Sequence, residues 1–437
     1  MEWQLALLLI VGSLIVMMVL GLPVAFCFMF VNLIGVYIFW GGLVGLEQLI
    51  LTIFDTLISF TLMPLPLFVL MGEVMFLSGV APNMIDALDK WLGRLPGRLG
   101  LLAVGGGTIF ATLSGASMAS VAMLGSTLVP EMEKRGYKKP MSLGPILGSG
   151  GLAIMIPPSV LAVLLGAIGR ISVGKILIAI IIPGLLMAGL YTTYIVGRCR
   201  LQPSIAPAYD VTVPPLSERL LAILKYVLPL GLILFLVIGV MFVGVATPSE
   251  AAALGSIGVF FLAFVYRRLN WELVKKSFAG TVRITVMIFI IISAALAFAQ
   301  ILAFSGASRG LIELALGLPL PPILIIVVMM VVLLILGTFM DVVAMMLVTI
   351  PLYMPVIHAL GFDPVWFAVI MLLNLEMADV SPPFGLGLFV MKGVAPADTT
   401  MGDIYRSVLP FLGCDLIAMI LIIAFPTLAL WLPGLMR

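Results

Sequence analysis

The sequence predicts an all-α polytopic membrane protein built as an inverted-topology repeat, with about ten transmembrane helices and two re-entrant helical hairpins. Two observations carry that prediction. Hydrophobic residues make up 63% of the chain and charged residues 10%, with a mean hydropathy of +1.31, which leaves too little polar surface to clothe a soluble domain. The chain also resembles itself at an offset of 225. Five prolines pair at that spacing: Pro23 with Pro248, Pro96 with Pro321, Pro130 with Pro355, Pro157 with Pro382 and Pro158 with Pro383. The 29 prolines of the sequence predict about one such coincidence. Gly136 pairs with Gly361 at the same offset, and after a two-residue shift Ser78-Gly79 lies over Ser305-Gly306.

The elements follow in order. The apolar run from Trp3 to Leu20 has no basic n-region and no small-residue cleavage site, so it reads as a mature span and not a signal peptide. Residues 41–62 hold Glu47 and Asp55 but no Lys or Arg, which predicts an arm helix along the periplasmic face, and residues 1–62 form an N-terminal scaffold. Residues 63–200 form the first repeat. Its hairpin, about 99–130, has Lys90, Arg94 and Arg98 on one side and Lys134, Arg135, Lys138 and Lys139 on the other, so both ends are predicted cytoplasmic. A Gly/Ser-rich middle, "TLSGASMAS" (112–120), suits a segment that enters the membrane and returns inside protein. A helix broken at Pro157 follows, and then a span of about 174–197 ending at Arg198 and Arg200.

Residues 201–282 contain a polar cytoplasmic linker (201–222) and scaffold spans, with Arg267, Arg268, Lys275 and Lys276 separating spans near 252–266 and 283–304. Residues 283–437 form the second repeat. Its hairpin, about 322–354, has only Arg309 before it and "HALGFDP" (358–364) after it, which predicts entry from the periplasm; a helix broken at Pro382 follows. An odd number of crossings per half inverts the second half relative to the first. Both termini are then periplasmic, in a multi-pass protein of a bacterial inner membrane.

Several classes are argued against. The net charge is +2 with no block of five like charges, which gives no footprint for nucleic acid or a polybasic tail. Cys27, Cys199 and Cys414 are far apart and form no metal or disulfide pattern. "GRISVGKI" (169–176) has phosphate-loop spacing, but Ile176 stands where Ser or Thr is needed and no βα unit surrounds it. His358 is the sole histidine and lacks a nucleophile partner, and an intramembrane aspartyl protease would have only Asp341 and Asp379 to use. The chain is not expected to be an enzyme and needs no cofactor beyond a coupling ion.

A Pro-Pro pair inside a membrane helix frees carbonyls at one stump and amides at the other, the first suited to Na⁺ and the second to a carboxylate. One sodium site per half is expected where a hairpin tip meets a break. The first comprises Ser114, Gly115, Ser117, Ser149 and Gly150; the second Gly337, Thr338, Asp341, Asn374 and Ser381. Ala116, Pro157, Pro158, Ser159, Pro382, Pro383 and Gly385 are expected close to substrate. The bland readings are that the Gly and Ser residues only pack, that the prolines only kink, and that Asp341 pairs with a neighbouring donor. Glu376 and Asp379 could face a solvated cavity or the headgroups, while Glu73 and Glu250 suit backbone bonding at helix ends.

The segments "GLPVAF" (21–26), "MPLPLFVLMGEVM" (63–75), "FATLSGASMASVAMLGSTLVPEMEKRGY" (110–137), "IPPS" (156–159), "ATPSEAAALG" (246–255) and "SPPFGLGLFVMKGVA" (381–395) resemble the large membrane subunit of tripartite ATP-independent periplasmic (TRAP) transporters, in order and across essentially the whole chain. That resemblance implies an elevator-type fold like that of the ion-transporter superfamily, and Na⁺-driven secondary import. It also implies two partners, a small four-span membrane subunit and a periplasmic substrate-binding protein that delivers an organic acid such as a C4-dicarboxylate, sialic acid or another sugar acid. A stand-alone Na⁺/carboxylate symporter and a passive pore are the alternatives. The chain departs from the family pattern at the first tip, where Ala116 and Ser120 replace a Ser and an Asp, and at Met377-Ala378, where Ile-Gly is usual.

Overall fold

The computed structural model describes residues 2–436 other than 94, 115–116, 208–213 and 339, and leaves the side chains of 81 and 110–114 undescribed. Among the described residues all regular structure is helical. Seven helices are long and apolar enough to cross a bilayer: Phe60–Leu77, Val173–Leu201, Leu216–Phe242, Pro248–Val265, Trp271–Phe304, Val342–Ala359 and Met401–Ala424. The pair Lys139–Met155 and Val160–Gly169, bent by 44°, makes an eighth when taken as one broken span. Trp3–Val19 and Val24–Phe39 are shorter apolar helices, and Pro364–Asp379 with Leu386–Val394 forms a second broken pair. The fold is that of an all-α polytopic membrane protein.

The proline pairs occupy matching places. Pro23 and Pro248 open helices, Pro96 and Pro321 precede hairpins, and Pro130 and Pro355 lie inside each hairpin's second helix. Pro157-Pro158 and Pro382-Pro383 fall in the two breaks, and both bonds are cis. Gly136 and Gly361 each end a hairpin helix with a positive φ of 81° and 75°, a conformation that costs glycine little. The repeat seen in the sequence is therefore a repeat of backbone events.

The first hairpin is Arg98–Ser114 with Ser117–Lys134, and the second is Pro322–Leu336 with Val342–Ala359. The broken helices lie deepest. Every residue from Met141 to Met155 and from Val365 to Asp379 is buried, which explains why neither segment shows an amphipathic stripe. By contrast Leu216–Phe242 buries Leu230, Val237, Met241 and Ala222 and presents most of its apolar surface outward, as a lipid- or partner-facing helix does.

One expectation changes in detail. The helix predicted to begin near 283 begins at Trp271, because the side chain of Asn270 accepts the amide of Leu273 at 2.8 Å and caps it there. Lys275 and Lys276 thus lie inside that helix, and Lys276 pairs with Glu272 at 2.7 Å. In the arm, Leu43–Leu57 is helical; Thr52 donates to Oε1 of Gln300 at 3.0 Å and ties it to the Trp271–Phe304 helix.

Candidate functional site

Missing side chains let the elements around the breaks approach closely. A Cβ on Gly107 would come within 2.4 Å of Ser149 Oγ, one on Gly150 within 2.4 Å of Val121 Cγ2, and one on Gly337 within 2.6 Å of Ala378 Cβ. Each hairpin is thus seated on a broken helix by glycine, the first on Lys139–Met155 and the second on Pro364–Asp379.

The predicted ligands are distributed unevenly. Gly115 and Ala116 lie outside the described residues, as does the side chain of Ser114. Ser117 stands beside Gly150, but its hydroxyl donates to Oδ2 of Asp379 at 3.3 Å, in the other repeat. Ser149 donates to Ile146 O at 3.0 Å within its own helix. Thr338 donates to Ile335 O at 2.7 Å and Ser381 to Met377 O at 2.6 Å, so both hydroxyls keep lone pairs free. Asp341 caps the Val342–Ala359 helix, accepting from the amides of Val343 and Ala344 at 2.9 and 3.1 Å. Asn374 is wholly buried and neither its Oδ1 nor its Nδ2 has a partner. At the breaks Ser159 accepts from the Ala162 amide at 3.3 Å, Tyr405 donates to Pro383 O at 2.7 Å, and Gly385 lies so close to Asp379 O that a Cβ there would reach 2.5 Å.

Three groups of residues were missed or underrated in the sequence. Asp379 faces neither solvent nor headgroups: it is 4% exposed, and its Oδ1 has no partner. Glu376 is buried over Gly151, where a Cβ would fall 0.9 Å from Oε1, and neither of its oxygens is hydrogen-bonded. Behind it Tyr191 donates to Oδ1 of buried Asp415. Asp415 lies in an apolar run, so the argument that singled out Asp341 applies to it equally. Lys139, read only as an orientation signal, joins Glu133 (2.8 Å), Asp398 (3.0 Å) and Thr399 Oγ1 (2.7 Å), fastening the first hairpin to the exit of the second broken helix. Its hydrogen bond holds the carboxyl of Asp398, in the loop outside the spans, below the usual carboxylate range. Glu250 forms the capping box with Thr247, whereas Glu73 sits mid-helix against Gly280 and not at a helix end.

A cavity of about 1070 Å³ lies between the arm, the end of the first broken helix and the second hairpin, with Asp55, Arg170, Gln300 and His358 on its wall; it touches none of the predicted ligands. A smaller one, about 350 Å³, is lined by Gly337, Thr338, Met340, Asp341, Phe384 and Leu386, and does coincide with the second predicted site. Among the described residues no three His, Cys, Asp or Glu side chains gather as a metal cluster. On the second broken helix, then, Oδ1 of Asp379 and both polar atoms of Asn374 are buried without a partner, and the Asp379 carboxylate also meets the Ser117 hydroxyl of the first hairpin.

Residues 11–428 match the family model described as "Tripartite ATP-independent periplasmic transporter, DctM component". The chain is 32% identical over 393 residues to the C4-dicarboxylate TRAP transporter large permease protein DctM of Pseudomonas aeruginosa, covering 89% of this chain and 90% of the relative. It is 28% identical over 427 residues to the ectoine TRAP transporter large permease protein TeaC of Halomonas elongata, covering 97% and 98%. Its fold is similar to the crystal structure of the Alcanivorax borkumensis YdaH transporter, with a TM-score of 0.64 at 16% identity over 90% of this chain and 91% of that one. The chain belongs to the DctM family and is the large permease component of a tripartite ATP-independent periplasmic transporter.

Proposed function

We propose that this permease imports an organic acid by Na⁺-coupled secondary transport with an elevator movement, receiving its substrate from a periplasmic binding protein and working beside a small four-span membrane subunit. The relatives that transport C4-dicarboxylates and ectoine support the substrate class, with sialic and other sugar acids inside it. The observation that carries the coupling is the junction itself. Ser117 at the first hairpin reaches Asp379 at the second break, and on the same broken helix Oδ1 of Asp379 and both polar atoms of Asn374 lack protein partners. Unmet buried oxygens are costly unless a ligand meets them.

In this reading Ser117 and Asp379, with carbonyls of the first break around Gly150, hold one ion. Asn374, Thr338, Asp341 and Ser381 hold the other. Bound sodium would supply positive charge beside the substrate carboxylate. The N-cap residue of Leu386–Val394, Gly385, offers no side-chain cap, which leaves the positive end of that helix to attract the carboxylate. The hairpins and broken helices move together against the scaffold of the N-terminal spans, the arm and the central spans. Both hairpins are re-entrant, from opposite sides, and both termini are periplasmic. Uptake into proteoliposomes holding both membrane subunits, with binding protein outside, is expected to require an inward Na⁺ gradient; equal uptake without Na⁺ would sink the coupling.

A further inference from the structure

We infer that the acid this permease carries is a monocarboxylate with an apolar body, and that Phe384 is the residue that selects for it. This deepens the proposed function, and it rests on the placing there of the substrate carboxylate at the start of Leu386–Val394.

The cavity at that helix start is about 350 Å³ and has six residues on its wall: Gly337, Thr338, Met340 and Asp341 of the second hairpin, with Phe384 and Leu386 beyond the break. Only two of them have polar side chains, and neither has a donor to spare. The Thr338 hydroxyl gives its one proton to Ile335 O at 2.7 Å, and Asp341 is an acid that accepts the amides of Val343 and Ala344. Most backbone donors of the hairpin tip are spent as well, because the amides of Gly337, Thr338 and Met340 bond Leu333 O, Ile335 O and Leu336 O. What this wall offers an anion is the positive end of Leu386–Val394 and the sodium proposed at Asp341. That suffices for one carboxylate. The second carboxylate of a C4-dicarboxylate would be stripped of water against Met340, Phe384 and Leu386, with no donor to replace it.

The same wall favours an apolar body. Phe384 is 54% exposed although it shares the wall with an acid and a threonine, so its open surface looks onto the site and not only onto lipid. Its ring lies parallel to that of Phe389, with planes 7° apart and centroids 6.5 Å apart, which braces it from one side. The backbone on either side of it is fixed too: Tyr405 donates to Pro383 O at 2.7 Å, and the Gly385 amide donates to Ser381 O at 3.0 Å. A ring held in place before the ligand arrives needs little further ordering when it binds. The faces of that ring carry the negative part of its quadrupole, which repels a carboxylate and accepts a hydrocarbon or the edge of another ring.

The test uses the purified complex of this chain with its small membrane subunit, in NaCl and without binding protein, and reads thermal protection by added acids. Benzoate and 4-methylpentanoate are set against succinate and glutarate. The two apolar acids are expected to protect at concentrations roughly tenfold lower, the order that burying one face of such a body supplies. Phe384→Ala should remove that preference and Phe384→Tyr should keep it. Phe384→Leu, which fills much of the same space, should weaken protection by benzoate more than by 4-methylpentanoate. Protection by the dicarboxylates at least equal to that by the apolar acids overturns the inference, and the wild-type protein decides this without any variant. A preference that Phe384→Ala leaves intact overturns it too, as does an absence of protection by both apolar acids. These outcomes leave the proposed function standing if Na⁺-driven uptake of some organic acid is observed; absence of any such uptake removes both.

Discussion

Gly151 has no side chain, and the carboxylate of Glu376 occupies the place where one would begin. In sequence, the glycine pair before the first break and the acids beside the other break suggest an asymmetry between two sites. In three dimensions the two are complementary, since one repeat leaves the hole that the other fills. Gly151→Ala is therefore expected to force Glu376 out of its seat and to destabilise the protein by about 1–3 kcal/mol, the usual cost of overpacking a core. Adding Glu376→Ala should recover much of that loss by vacating the same space, although it removes a buried acid. The check is thermal unfolding in detergent of the two single variants and the double. Strictly additive losses would mean that the two residues do not compete for one volume.

At the scale of elements, Asp341 separates two readings that the sequence left open. The intramembrane acid has a structural occupation, because it caps the helix Val342–Ala359 through two amides. Asp341→Ser keeps a capping oxygen and removes the charge; Asp341→Ala removes both and should cost about 1 kcal/mol more than Ser in stability. If Asp341 serves the ion as proposed, Ser and Ala variants should both need a higher Na⁺ concentration for half-maximal uptake. A Ser variant with the wild-type sodium response would leave Asp341 as a cap and nothing else. The breaks themselves were legible, because a proline's missing amide acts on its own helix and needs no partner. The cap was less so: Asp341 stands just before an apolar run, where an acid suits an ion ligand and an N-cap equally well.

Across the whole molecule, the contacts that the sequence concealed share a property. Gly151 and Glu376 are equivalent positions of the 225-residue repeat and touch each other, and Tyr191 meets Asp415 at almost the same spacing. Equivalent residues can meet only near an axis that relates the halves, so the broken helices pack along a pseudo-two-fold. Periodicity along the chain tells that two halves exist but not which residues lie on the axis, and Ser117 with Asp379 lies off it. Composition therefore disclosed the membrane and spacing along the chain the repeat, while the lateral register that makes the junction stayed hidden. The proposed elevator movement has a consequence for that architecture. A covalent bond inside the moving body should be tolerated, and one between that body and the scaffold should not. Gly125 and Val394 join the first hairpin to the second broken helix, with a Cβ on Gly125 only 2.7 Å from Val394 Cγ2. Asp55 on the arm and His358 at the end of the second hairpin face the same cavity from opposite bodies. In a background without the buried Cys27, Cys199 and Cys414, oxidising Gly125→Cys/Val394→Cys is expected to leave Na⁺-driven uptake near its uncrosslinked level. Bridging Asp55→Cys/His358→Cys with a bifunctional thiol reagent should abolish uptake, and cleaving a reducible reagent should restore it. Uptake that survives the second bridge would mean that arm and hairpin never part, and that access alternates by some smaller movement at the tips.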